Sequence, residues 1–204
     1  HCLKNISFEV NKYSCLAVLG LNGAGKSTLA KSIMGINRIE TGSIIIDGTE
    51  ISGIPSNQRV DVGLGYVPQG REIFSDLSVD ENLRIGESTE GSSNQTVSRS
   101  DIFQIFPVLK QMINRRGGDL SGGQQQQLSI ARALRTNPTI LILDEPTEGI
   151  QPSIVNDIRT MIFNLRGKFT IILIEQYIDF AREACDEYIV LSRGSICAAG
   201  SAES

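Results

Sequence analysis

Cys15-Leu-Ala-Val-Leu19 is an unbroken apolar run, and Gly20-Leu-Asn-Gly-Ala-Gly-Lys-Ser27 follows it without a spacer. A five-residue apolar run fits a strand buried on both faces, and the pattern beyond Lys26 fits a helix to about Met34. Glycines at 20, 23 and 25 let the backbone curl with successive N–H groups turned inward, the cradle that a phosphate needs. Lys26 supplies a compact positive charge for the β- and γ-phosphates of a nucleotide, and Ser27 offers a hydroxyl to Mg²⁺. A glycine-rich turn before a basic helix is the bland alternative, and the strand and helix that flank the loop argue against it. The expected nucleotide-binding set is Gly20, Asn22, Gly23, Ala24, Gly25, Lys26, Ser27 and Thr28.

A second strand-like run, Ile140-Leu-Ile-Leu143, ends in Asp144-Glu145. Charge at the end of a buried strand needs partners, and alternating side-chain directions send the two carboxylates to different places. Asp144 suits contact with Mg²⁺. Glu145 suits orienting and deprotonating a water in line with a γ-phosphate. Alone, the pair reads equally well as a strand turning polar at solvent. Beside a phosphate loop it reads as a hydrolytic site, though GTPases, motors and helicases all fit that description.

Asp119-Leu-Ser-Gly-Gly-Gln-Gln-Gln-Gln-Leu128 opens another helix. Ser121 and Gln124 make a capping box. Gly122 and Gly123 instead cost about 1 kcal/mol of helix propensity each relative to alanine. Bare backbone at a helix N-terminus suits an anion.

The rest of the chain alternates strands and helices, which predicts an α/β protein with a mostly parallel sheet. Strands are expected at Ser43–Ile46 (entering a turn at Asp47-Gly48), Leu64–Val67, Thr139–Leu143 and Thr170–Ile174. A helix is expected over Pro152–Leu165 and a final strand pair at Tyr188–Leu191 and Ser195–Ala198. Between Arg71 and Leu120 the pattern becomes helical around a polar stretch, Gly86–Ser100, read as a surface loop. The expected layout is one domain over 1–204, with a core of about 1–70 and 125–204 and a helical insert of about 71–124. A net charge of −4 without a basic run gives nucleic acid no purchase. No apolar run approaches the roughly 20 residues needed to span a bilayer. Cys2, Cys15, Cys185 and Cys197 have neither disulfide nor zinc spacing and read as reduced, mostly buried thiols. His1 has no neighbours that would make it a ligand, and without an initiator Met the natural N-terminus is expected to lie further upstream.

On the phosphate loop, the Asp144-Glu145 strand and Leu120-Ser-Gly-Gly-Gln124, the chain resembles the ATP-binding subunits of ABC transporters over nearly its whole length. That resemblance implies a P-loop ABC-ATPase fold with an antiparallel β part and a helical insert, and Mg²⁺-dependent ATP hydrolysis. It implies that two subunits, identical or paralogous, pair head to tail, so that Leu120, Ser121, Gly122, Gly123 and Gln124 of one close over ATP held by the other. It gives Gln69 contact with Mg²⁺ and the attacking water. Ser27, Gln69 and Asp144 then form the metal set, and Glu145, Gln69 and Gln176 the catalytic set. Ile73, Phe74 and Leu77 are either plain core or the lining of a groove for a helix of an integral membrane permease subunit. The adenine-stacking aromatic is implied to lie upstream of His1. A solute-binding protein is implied as an indirect partner, and the cytoplasmic face of the inner membrane as the location.

The chain also departs from the common ABC pattern. Glu148-Gly-Ile-Gln151 replaces Ser-Ala-Leu-Asp, and Gln176 stands where a histidine usually meets the γ-phosphate. An amide donates hydrogen bonds but carries no proton, so slower or differently coupled hydrolysis is expected. Pro68-Gln-Gly-Arg-Glu-Ile-Phe74 and Glu175-Gln176 resemble importers of branched-chain amino acids and of urea or short-chain amides. Gly117-Gly118-Asp119, the glutamine run and Thr147–Pro152 resemble the urea group most. A branched-chain amino acid importer and an ATP-dependent clamp outside transport are the alternatives.

Overall fold

The structure, a computed structural model, describes residues 3–87 and 97–202; His1, Cys2 and most of the expected polar loop lie outside them. Strand β1 (Cys15–Leu19) leads through the phosphate loop into α1 (Lys26–Ile33). A separate antiparallel pair, β2 (Ile45–Ile46) and β3 (Thr49–Glu50), precedes the single turn α2 (Ser56–Arg59) and β4 (Leu64–Val67). Helices α3 (Val79–Ile85), α4 (Arg99–Ile105) and α5 (Pro107–Gln111) lead to α6 (Gly122–Leu134). Then come β5 (Ile140–Asp144), α7 (Pro152–Leu165), β6 (Thr170–Glu175) and α8 (Ile178–Ala184), followed by β7 (Glu187–Ser192) and β8 (Ser195–Ser201).

The main sheet runs β4-β5-β6-β1-β7-β8, parallel except for the last pair. Between the polar ends of β5 and β6 the central strands are apolar, because both faces are covered. Cys15, Ala17, Leu19, Leu143 and Leu173 join one core beneath α6, α7 and α8. Leu16, Val18, Ile142, Ile172 and Ile174 join a second beneath α1. Val79, Leu83, Ile102 and Leu109 of the insert belong to the first of these cores, so insert and sheet are packed through one apolar body. Capping boxes open α3 at Ser78/Glu81 and α6 at Ser121/Gln124, as the sequence implies. A third at Ser98/Asp101 starts α4 inside the stretch expected to be loop.

The expected strand at Ser43–Ile46 shortens to Ile45–Ile46, because the Ser52 hydroxyl takes the Ile44 N–H at 2.8 Å in place of a carbonyl. The last strand reaches Ser201 rather than Ala198, and Cys197 is exposed on it, contrary to the buried reading, because β8 is the sheet's edge. Cys15 and Cys185 are buried with their sulfurs 2.9 Å apart, as free thiols.

Arg59, 2% exposed, closes the far end of α1. Its guanidinium donates to the carbonyls of Ser32 (3.0 Å), Ile33 (2.5 Å), Ile54 (2.9 Å) and Ser52 (3.1 Å). A cation there also meets the negative end of the helix dipole. Replacing Arg59 with Met leaves several buried carbonyls unpaired, at about 1–3 kcal/mol each. We expect a loss of roughly 3–5 kcal/mol, read as a lower urea midpoint with an unchanged slope.

Candidate functional site

Strands β1, β4, β5 and β6 end at one edge of the sheet: Leu19 is level with Glu175, Asp144 with Ile174, and Val67 with Leu143. Loops leaving this carboxyl edge bring residues distant in sequence together, the usual place for a ligand in an open α/β sheet. Gly25, at φ 108°, turns the chain into α1 in a conformation that a side chain resists, and no side chain caps the helix. The first N–H groups of α1 are therefore left for a ligand.

Lys26 is 4% exposed, with Nζ 2.8 Å from Gly20 O and 3.1 Å from Glu145 Oε1. Ser27 Oγ donates to Asp144 Oδ1, and the Tyr66 hydroxyl donates to Asp144 Oδ2, both at 3.2 Å. Burial raises the Asp144 carboxyl above its ordinary range, while these two hydroxyls pull it back. Burial, then the Asp144 charge, pushes the Tyr66 phenol up in turn. The two carboxylates diverge, Asp144 toward Ser27 and Glu145 toward Lys26, but the turn after the strand rather than strand alternation sets the second direction. Glu145 itself has left the strand, at φ 47°.

The Gln69 amide donates to Glu145 Oε2 at 3.2 Å and to Glu148 Oε2 at 2.8 Å. Thr147 Oγ1 donates to Glu175 Oε1 at 2.6 Å, and the backbone N–H groups of Gln176 and Tyr177 point to Glu175 Oε2 at 3.1 and 3.5 Å. Burial raises the Glu175 carboxyl against these donors. The loop after Glu145 is thereby tied to the loop carrying Gln176. The Gln176 side chain makes no hydrogen bond to the described residues, and Gln151 is exposed ahead of α7.

At the α6 tip Ser121 is exposed, and its hydroxyl accepts the Gln124 N–H at 3.3 Å while Gln124 Oε1 accepts the Ser121 N–H at 3.0 Å. The bareness of the two glycines has a cause within the chain. A Cβ on Gly123 would stand 2.5 Å from the Ile154 side chain, and one on Gly122 would stand 3.0 Å from the Arg71 guanidinium. Leu120 is buried. No hydrogen bond or ion pair among the described residues joins 120–124 to the phosphate loop.

Beside this edge, a cavity of about 310 Å³ is lined by Phe74, Ile85, Tyr66, Met34 and Arg132, among others. Phe74 and Ile85 are 47% and 51% exposed. Of the three apolar residues expected there, only Phe74 faces outward; Ile73 packs on the core and Leu77 is half-buried. Asn82, fully buried, holds this loop by bonds to both the N–H and the carbonyl of Phe74. Sequence reasoning gave no site role to Tyr66, Asn82, Glu148 or Arg71, although Glu148 and Arg71 stand inside motifs it used. Only Tyr66, a phenol on a buried strand two places from Pro68, carries a sequence signal.

Residues 3–148 match the model of the ABC transporter family, and the chain belongs to that family. It is an ATP-binding subunit of an ABC transporter, the class of cassette that hydrolyses ATP to power transport. It is 38% identical over 195 residues to the high-affinity branched-chain amino acid transport ATP-binding protein BraG of Pseudomonas aeruginosa, covering 95% of this chain and 84% of the relative. It is 34% identical to the lipopolysaccharide export system ATP-binding protein LptB of Haemophilus influenzae, covering 98% and 85%. A nucleotide-free ATP-binding cassette from an ABC transporter superposes with a TM-score of 0.85 at 30% identity, over 98% of this chain and 85% of that one.

Proposed function

We propose that this subunit drives import of branched-chain amino acids, working as one of a head-to-tail pair of ATPases docked on integral membrane permease subunits. The observation that carries the hydrolytic part is the junction of Lys26, Glu145 and Gln69 beside Ser27 and Asp144 at a single sheet edge. The solute assignment leans on the 38% identity to BraG together with Pro68–Phe74. The urea assignment has only its sequence motifs behind it. Lipopolysaccharide export is the second reading, favoured by the likeness to LptB. No helix among the described residues is long and apolar enough to cross a membrane; a peripheral place on the cytoplasmic face is what the family resemblance implies.

In this reading Gly20–Thr28 wrap the triphosphate and Lys26 leaves Glu145 for the β- and γ-phosphates. Freed of that partner, Glu145 takes the proton of a water that Gln69 orients. The water oxygen bonds to the γ-phosphorus as the bond to the β-bridging oxygen breaks, giving ADP and phosphate. The Ser27 hydroxyl, the Asp144 carboxylate and the Gln69 amide are hard oxygen donors that fit Mg²⁺, whose usual complement is one or two carboxylates with phosphates and water. Bound there, Mg²⁺ supplies charge neutralisation at the phosphates. Gln176 supplies at most a hydrogen bond to the γ-phosphate.

Ser121 and the N–H groups of Gly122 and Gly123 are left for a partner's γ-phosphate, and ATP then joins the two subunits by mass action. Ser121→Arg tests the shared site. Its expected result is unchanged ATP binding by the monomer, no ATP-dependent dimer in sedimentation, and turnover at background. Unchanged turnover defeats the shared site; co-purification with permease subunits decides between transport and a clamp.

A further inference from the structure

Arg71 and Glu72 both stand in the left-handed backbone region, at φ 72° and 44°. Residues with side chains persist there only where their surroundings enforce it. One stripe of α6 supplies the enforcement. Ser129 Oγ donates to Arg71 O at 2.5 Å, Arg132 Nη2 donates to Glu72 O at 2.6 Å, and Gln125 Oε1 accepts from Arg71 Nη1 at 3.4 Å. Positions 125, 129 and 132 share one helix face. The Arg71 side chain then reaches past α6. Its Nη2 donates to Gly149 O at 3.3 Å, in the loop that follows Glu145, and its guanidinium lies against Gly122 at the α6 tip.

Arg71 therefore touches two segments given separate tasks above, the loop after Glu145 and the α6 tip, and lies on a third, the stretch from Gln69 to Phe74. Two residues upstream, Gln69 holds Glu145 and Glu148. Three residues downstream, the Phe74 ring centre lies 5.0 Å from the Arg132 guanidinium, at the mouth of the docking cavity. We infer that Arg71 is a positioning residue for hydrolysis, whose fork locks the 145–151 loop and the α6 tip in register with Gln69. A planar fork with several donors is required, and lysine cannot reproduce it. The inference rests on Glu145 and Gln69 acting as proposed above.

The test is steady-state Mg·ATP hydrolysis by the full chain as Arg71→Ala, Arg71→Lys and, in parallel, Glu145→Gln. Arg71→Ala is expected to lower kcat by about tenfold to a hundredfold, the size of effect that a misplaced reacting group produces, with KM for ATP within about twofold. Arg71→Lys is expected to recover part of that loss, with melting temperatures of both variants matching the wild type. An unchanged kcat, a matching rise in KM, full recovery by lysine, or a fall in melting temperature that parallels the kinetic loss each overturns the inference. With Glu145→Gln inactive, such a result counts against Arg71 alone. Turnover persisting in Glu145→Gln instead removes the site assignment, and the inference with it.

Discussion

Glu145→Gln is expected to lower ATP turnover by about 10²- to 10³-fold, the usual cost of removing a general base. The same substitution is expected to strengthen ATP binding by the monomer. Glu145 is the counter-ion of Lys26, at 3.1 Å with both side chains almost wholly buried. The arriving phosphates must compete with it. A neutral amide of equal size keeps the contact to Gln69 geometrically possible while removing that competition. A change of about 1.4 kcal/mol in the Lys26 interaction corresponds to a tenfold gain in affinity. Fluorescent-nucleotide titration of monomer at low protein concentration measures it. Weaker binding in the variant contradicts a Lys26 that is shared between carboxylate and phosphate.

The parts of this site that were legible in the sequence are those where chemistry forces a local pattern. Gly20–Ser27 must be contiguous to curl around one anion, and Asp144-Glu145 must follow an apolar strand to reach the sheet edge. Their joint placement was readable because β1 and β5 are both buried parallel strands, whose ends meet at one edge whatever lies between them. The reason for Gly122 and Gly123 was not readable. Their local pattern indicates an anion, yet Ile154, 31 residues further along, already crowds out a Cβ at Gly123, and the Arg71 guanidinium, 51 residues earlier, leaves one at Gly122 only tight room. Arg71 was illegible for the same reason, since its partners Gly149 O and Ser129 lie on other elements. Main-chain carbonyls carry no residue signature. Edge effects were the remaining misses. Exposure of Cys197 follows from β8 being last in the sheet, and an ordering of strands is a property of the fold that no single segment states.

Lys26→Met separates the two duties of the lysine, since Met keeps the length of the stem and loses the charge. Nucleotide binding is expected to fall by more than about a hundredfold, because the charge that faces two phosphates is gone. Stability is expected to fall as well, which a lysine serving only the nucleotide does not predict. Glu145 is 8% exposed, and without Lys26 the Gln69 amide is the one side-chain donor left to it among the described residues. Breaking an enclosed ion pair by removing one partner costs about 3–5 kcal/mol, and a pair at an open sheet edge is expected to cost roughly half of that. Denaturant unfolding without nucleotide measures the loss. Adding Glu145→Gln to Lys26→Met then restores stability, because the stranded charge is removed as well. The coupling in that double-mutant cycle is expected to exceed about 1 kcal/mol. Strictly additive losses mean that the carboxylate finds adequate solvent at the sheet edge, and the competition between Glu145 and the phosphates for Lys26 then loses its physical basis.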